Sequence, residues 1–347
     1  MGEPTVRIVI VNDSATMRAA LRAALAGVEG VEVVGEAADG AAAPVVVAAK
    51  RPSVVLMDVV MPRVDGYAAT RAIMARSPVA IVLVSSVVNP RDVAVAMEAL
   101  RSGALAIVEA LPSPHDPAYG FRRDALVRLL RAMARVPVPP PTRAGATRPA
   151  RAVGVKPGAG TTAAAVGVVA STGGPGALVE VLRPASGLAS PPVLLVQHLA
   201  RGFAEGFARW LGQATGRNVR LAEHQQPLER GAVYVAPDDR HLGLDAGLRA
   251  VVSDDPPVGP FRPSGTWLLR SLARALGPCA RAVVMTGMGD DGADGAVELR
   301  RAGGRVAVQD AATSVVFGMA QATVERGGAD DVLPLDALAA WVCDGAA

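Results

Sequence analysis

Four histidines stand in 347 residues, so few positions can do acid–base work with an imidazole. His115 lies in a Pro-rich stretch, His224 in the polar "AEHQQ", and His241 in "PDDRHL", where it can line a site. His198 differs because it ends an apolar run, "PVLLVQHL" (192–199). Just upstream another apolar run, "VGVVA" (166–170), stops at Ser171. Thr172, Gly173, Gly174 and Pro175 follow, and then a helical pattern. A third apolar run opens "RAVVMTGMGDDGADG" (281–295), which closes in a Gly-rich turn bearing Asp290, Asp291 and Asp294. A serine hydroxyl attacks when a base takes its proton, and that base needs a group to orient it. A serine, a histidine and an acid, each at the end of an apolar strand, supply those three parts.

The corner at Ser171 has a rival reading as a phosphate cradle, which the residues do not support. A P-loop needs a lysine after its last glycine, and Pro175 follows Gly174. From Gly174 the chain reads G-P-G-A-L-V rather than G-x-G-x-x-G, and no acid ends the next strand. The nucleophile reading also departs from standard hydrolases. The order is serine, histidine, acid, and there is no G-x-S-x-G elbow.

A second constellation stands nearer the N-terminus. Asn12 and Asp13 follow the apolar "RIVIV" (7–11), Asp58 sits in "SVVLMDV" (53–59), and Ser85 falls in "AIVLVSS" (80–86). A carboxylate that ends an apolar run is costly to bury alone. A divalent cation is the natural partner for Asp13 and Asp58.

Both constellations require strands whose carboxyl ends share an edge. "VEVVGEA" and "ALAIVEAL" (104–111) add strands to the first segment, and "GRVAVQDAATSVVFGM" (304–319) adds one to the second. Fully apolar strands alternating with helical patterns predict parallel sheets covered on both faces, an α/β class. Ligand chemistry in such sheets sits outside the strands' carboxyl ends. Between the segments, "RVPVPPPTRAGATRPARAVGVKPGAGTT" carries prolines that forbid a helix and favour extended chain. The expected division is 1–132, a linker over 133–162, and 163–347.

Hydrophobic residues make up 51% and aromatics only 3%, so the cores must be built from Ala, Val and Leu. The net charge of +3 comes from the linker, whose arginines and lysine have no acid among them; the remainder is slightly acidic. That argues against a nucleic-acid-binding face. Cys279 and Cys343 fit no metal or disulfide spacing and read as reduced thiols. No signal core opens the chain and no apolar run reaches membrane-spanning length, so membrane insertion is not expected and a cytoplasmic protein is.

"VNDSATMR", "MDVVMPRVDGY", "VLVSS" and "GALAIVEALP" resemble the receiver domain of two-component response regulators. The resemblance implies a flavodoxin-like, doubly wound parallel sheet. It makes Asp58 the acceptor of a phosphoryl group from a histidine kinase, Asp13 and Asp58 Mg²⁺ ligands, and Ser85 the switch hydroxyl. Two departures stand out. Asn12 replaces the first of two acids, and "IVEALPSP" offers Glu109, Ala110 and Leu111 where receivers carry a lysine. A cation there would balance phosphoryl charge, so a weak response is expected.

"ASTGGPGAL", "VQHL", "VYVAPDDRHL", "TGMGDDGA" and "QDAATSVVFGM" resemble the doubly wound α/β catalytic domain of chemotaxis protein-glutamate methylesterases, the CheB family. The resemblance implies Ser171 as nucleophile, His198 as general base and Asp291 as orienting acid. Met288 would give an oxyanion N–H, and Thr172 would line the site. It implies hydrolysis of glutamyl γ-methyl esters on methyl-accepting chemoreceptors without an esterase cofactor, with receptor deamidation as a second activity. The receiver would cover the catalytic strand edge and release it on phosphorylation. "RPSGT" (262–266) and "FGMA" (317–320) depart from the family's "RPSVD" and "FGMP", and a change in receptor docking is expected from them. Two rivals are a catalytically idle signalling adaptor and an esterase acting on a protein outside chemotaxis.

Overall fold

The computed structural model describes residues 4–85, 90–138, 163–183 and 190–343. The chain divides into two compact units, Met1–Arg148 and Pro149–Ala347. From residue 139 onward, the Pro-rich segment expected as a linker lies outside the described residues.

The first unit alternates strand and helix throughout. Its elements are β1 (Val6–Val11), α1 (Ala15–Leu25), β2 (Val31–Ala37), α2 (Ala43–Lys50), β3 (Val54–Asp58), α3 (Gly66–Arg76), β4 (Ala80–Ser85), α4 (Pro90–Arg101), β5 (Ala106–Glu109) and α5 (Tyr119–Met133). The strands lie in the order β2-β1-β3-β4-β5, and every pairing is parallel. Central strands are buried on both faces, which is why "VVLM" (54–57) is apolar without alternation. Side-chain caps start two of the helices: Ser14 accepts from Met17 N–H, and Asp65 accepts from Ala68 N–H.

The second unit contains β6 (Ala165–Ala170), α6 (Gly174–Leu182), β7 (Val193–Gln197), α7 (Ala204–Thr215), β8 (Val219–Leu221), β9 (Val233–Val235), β10 (His241–Leu244) and β11 (Ala250–Ser253). It continues with α8 (Gly265–Leu276), β12 (Ala280–Val284), α9 (Ala293–Arg301), β13 (Arg305–Gln309), α10 (Met319–Glu325), β14 (Asp331–Leu333) and α11 (Leu335–Cys343). Seven of these strands form a parallel sheet in the order β14-β13-β12-β6-β7-β9-β8, while β10 and β11 form a separate antiparallel hairpin. From β6 the chain winds outward through β7, then returns to build β12, β13 and β14 on the other side. The gap between β6 and β12 is therefore a topological switch point, where such sheets open a crevice at their carboxyl edge.

The core on one side of this sheet is Val, Leu and Ala, with Leu268, Leu269 and Leu272 of α8 fully buried. Each buried leucine contributes about 1.5–3 kcal/mol. Gly167 in β6 lets α8 approach, since a Cβ there would lie 2.6 Å from Leu272 and 2.9 Å from Leu269. Among the described residues no helix is long and apolar enough to cross a membrane.

Candidate active site

Backbone bonds carry the β6 ladders past the strand ends. Ser171 N–H donates to Thr286 O (3.0 Å), and His198 N–H donates to Ala170 O (3.0 Å). Ala170 stands opposite Gln197, so Ser171 and His198 are the next pair along the same edge. The turn after β12 begins beside them. Gly287 packs so closely that a Cβ there would sit 2.8 Å from that of Ser171.

Asp290 and Asp291 are adjacent, but the structure treats them differently. Asp290 is exposed and, with Asp294, pairs with Arg326. Asp291 points inward, its side chain 1% exposed, and its Oδ2 lies 2.9 Å from His198 Nε2. It also accepts from Ser264 Oγ (2.7 Å), Gly265 N–H (2.6 Å), Thr266 N–H (2.9 Å) and Gly292 N–H (3.0 Å). Three of these donors stand at the start of α8, where the helix dipole favours an anion. Burial pushes the Asp291 carboxyl up, but the hydrogen bond and charge of His198 and the other donors outweigh it. The result is a pKa of about 2.

With Nε2 given to Asp291, the imidazole's remaining nitrogen is Nδ1. No hydrogen bond joins Ser171 Oγ to His198 among the described residues. Such contacts commonly tighten only when substrate binds. Gln197 fixes both neighbours from behind, its Nε2 donating to Ser171 O (2.8 Å) and His198 O (3.0 Å).

The loop after β13 takes Gly287 on both sides, since Gly287 N–H donates to Val316 O, and Gly318 and Met319 N–H donate to Gly287 O. No hydrogen bond engages the next N–H, that of Met288, among the described residues; the same is true of Thr172, at the start of the α6 turn. Thr286 Oγ1 donates to Thr172 O (2.8 Å) and holds that turn in place.

Sequence reasoning missed several supporting residues. Ser264, which lies in "RPSGT", also caps α8 by accepting from Trp267 N–H. Phe261 stacks on the His198 ring with centroids 4.5 Å apart and planes 6° from parallel. Its only sequence signal is an aromatic among prolines. His241 does not line the site. It is fully buried behind it, accepting from Ser264 N–H through Nδ1 (3.2 Å) with Nε2 on Pro256 O (3.2 Å). His115 and His224 stand in exposed loops.

The departures in "RPSGT" and "FGMA" fall on buried positions. Gly265 and Thr266 are buried donors to Asp291, and Ala320 is fully buried in α10. A Cβ on Gly265 would meet Val169 at 2.2 Å, so this departure bears on packing behind the carboxylate.

In the first unit, Asp13 and Asp58 follow β1 and end β3, the neighbouring strands at that sheet's own switch point. Asn12 is buried, and its Nδ2 donates to Asp58 Oδ2 (2.7 Å). Val60 N–H donates to Asp58 Oδ1 (3.2 Å). Burial, aided by the charge of Asp13, raises the Asp58 carboxyl to about 6. Ser85 ends β4 and is buried. At the end of β5, Glu109 pairs with Arg122 of α5. Gly66 packs under the loop after β3, where a Cβ would lie 2.7 Å from Asp58 O. No cluster of three or more His, Cys, Asp or Glu able to hold a metal occurs among the described residues. Two carboxylates with an open side do suit Mg²⁺, which keeps waters and shares its ligands with phosphate.

Comparison with known proteins gives two family matches. The CheB methylesterase family profile matches residues 166–342, and the response regulator receiver domain profile matches residues 8–109. A protein-glutamate methylesterase/protein-glutamine glutaminase of Anaeromyxobacter dehalogenans (strain 2CP-C) is 48% identical, over 96% of this chain and 97% of the relative. One from Myxococcus xanthus (strain DK1622) is 43% identical, over 98% and 96%. The crystal structure of the Thermotoga maritima CheB methylesterase catalytic domain superposes with a TM-score of 0.50 at 32% identity, covering 52% of this chain and 98% of that one.

Proposed function

The chain belongs to the CheB methylesterase family, with a receiver domain ahead of the catalytic domain, and we infer from that premise that Ser171, His198 and Asp291 hydrolyse glutamyl γ-methyl esters of chemoreceptors. The protein is a methylesterase and glutaminase regulated through its receiver. The observation that carries the residue assignment is the 2.9 Å contact from His198 Nε2 to buried Asp291, on the edge where Ser171 stands.

Asp291 accepts a hydrogen bond from His198 Nε2–H and so keeps Nδ1 free as the base. His198 takes the Ser171 proton as Oγ attacks the ester carbonyl. The N–H groups of Met288 and Thr172 receive the oxyanion, each such donor typically worth about 3–4 kcal/mol of barrier. His198 then gives that proton to the methoxide oxygen as the ester C–O bond breaks and methanol leaves. Water next attacks the acyl-enzyme, its proton passing through His198 to Ser171 Oγ as the glutamate is released. A glutamine amide follows the same path with ammonia as leaving group. The ordered Asp291–His198 pair disfavours the idle-adaptor reading.

We assign Asp58 as the phosphoryl acceptor, supplied by a histidine kinase, in a cytoplasmic setting. Asp13 and Asp58 would hold Mg²⁺, which when bound neutralises charge on the phosphoryl oxygens. The like charge that helps to raise the Asp58 pKa is the charge a cation there would offset. We propose receiver 1–132, linker 133–162 and catalytic domain 163–347 as the working division. The test is methanol release from a methylated chemoreceptor. Wild type is expected to turn over, and Ser171→Ala to release none while still folding; methanol release by that variant would remove Ser171 from the mechanism.

A further inference from the structure

Phe261 is a half-buried aromatic of the second unit. It belongs neither to the hydrophobic cluster beneath the sheet nor to the residues packed against that cluster. The ring partner of its side chain is His198, face to face at 4.5 Å. We propose that Phe261 is the positioning residue of the general base, and that the segment 254–263 exists to hold its ring against the imidazole. The proposal rests on the reading of His198 as that base.

The segment is irregular, yet it is tied down at many points. Val258 and Phe261 exchange backbone hydrogen bonds (3.1 and 3.2 Å) across a tight turn. Arg262 Nε donates to Asp239 Oδ1 (2.9 Å), and its Nη1 donates to Asp254 O (3.2 Å). Asp239 in turn holds Arg201, three residues after His198, at 2.9 Å. Buried His241 binds Pro256 O, and Trp267 Nε1 donates to Asp255 Oδ2 (3.3 Å). Pro256, Pro257, Pro260 and Pro263 restrict what chain freedom is left. The backbone that carries Phe261 is therefore held on both sides of it.

The stack has two consequences for the reaction. Asp291 fixes one point of the imidazole, which leaves rotation about that hydrogen bond; a ring lying flat on one face removes it. Nδ1 is then held toward Ser171 before substrate arrives. The imidazole also becomes a cation as it takes the serine proton, and an aromatic face within about 6 Å attracts a cation. Both effects act on the transition state rather than on substrate binding, so the loss should fall on kcat.

The experiment compares Phe261→Leu, which keeps apolar bulk without a ring, with Phe261→Tyr, which keeps the ring. Methanol release from a methylated chemoreceptor and labelling of Ser171 by a fluorophosphonate are both timed, with full-length protein. The expected result for Phe261→Leu is about a ten-fold fall in kcat and in labelling rate, with KM within two-fold. Phe261→Tyr should stay within two-fold of wild type on every measure. In the wild-type proton spectrum, the imidazole C–H signals of His198, assigned by their absence in His198→Gln, should lie upfield of those of His115 and His224. In Phe261→Leu that shift should disappear. An unchanged kcat, a loss confined to KM, a Tyr variant as slow as Leu, or an unshifted His198 signal would each overturn the proposal. Failure of wild type to release methanol would sink the esterase reading instead, and the labelling rates and the wild-type spectrum would still decide the role of Phe261. The spectrum also decides it should Phe261→Leu not fold.

Discussion

Asp291 gathers four hydrogen-bond donors and an imidazole onto one buried carboxylate. Replacing it with asparagine leaves the volume but turns an acceptor edge into a donor edge facing other donors. Asp291→Asn is expected to lower kcat by roughly 10⁴-fold, because the wrong imidazole tautomer is then favoured. The same carboxylate ties stability to pH. Its pKa falls from 3.8 to about 2 on folding, so its contribution is complete above pH 4 and is lost as pH falls toward 2. The lowering corresponds to about 2 kcal/mol. Acid unfolding of wild type should therefore steepen between pH 4 and 2, and that part of the slope should be missing in Asp291→Asn. Ser264→Ala removes one donor and the α8 cap together, and should cost about 1 kcal/mol of stability. Methanol release, measured with thermal melts, should fall about ten-fold in that variant.

Serine, histidine and acid are positioned by the turns that follow three strands, and those turns depend on glycine. Gly173 has φ of 78°, a left-handed conformation, and a Cβ there would lie 2.5 Å from that of Val315. Gly173→Ala is expected to cost about 1–3 kcal/mol from backbone strain alone. It should also reduce methanol release, because the Ser171–Thr172 corner must shift. A melting temperature equal to that of wild type would show that the corner is not rigid. The strands bearing these turns were legible in sequence because they are buried on both faces: "VGVVA", "VLLVQ" and "RAVV" need no alternation to be recognised. Other elements were not legible, for physical reasons. β8, β9 and β14 have three residues each, too few to show a period. Phe261 and His241 act through stacking and burial between segments distant in sequence, which spacing does not encode. Spacing alone also could not separate Asp290 from Asp291. The family motif did so, and burial supplies the physical reason.

On the assignment of Asp58 as phosphoryl acceptor, the receiver's contribution to the whole protein turns on a carboxylate that folding makes less acidic. Asp58 moves from 3.8 to about 6, so between those values the folded receiver keeps a proton that the unfolded chain releases. Stability of the first unit should therefore fall as pH rises from about 4 to 6, the opposite sense to Asp291. Above pH 6 the carboxylate is ionised and can meet both a cation and a phosphodonor. Mg²⁺ should raise the melting temperature of the full-length chain at pH 7.5 and have little effect at pH 5, and Asp58→Asn should lose the effect. The same logic governs activation. Asn12 donates to Asp58 where receivers carry an acid, and Glu109, paired with Arg122, ends the strand where they carry a lysine. On the assignment of Asp13 and Asp58 as the Mg²⁺ and phosphoryl site, the amide would weaken the hold on Mg²⁺, and the missing lysine would leave phosphoryl charge unbalanced. A small-molecule phosphodonor with Mg²⁺ should then speed methanol release only a few-fold, and Ala110→Lys should enlarge that factor by supplying the counter-charge. Equal rates with and without donor, in both wild type and Ala110→Lys, would mean that phosphorylation of Asp58 does not drive the esterase and that the receiver answers to another trigger.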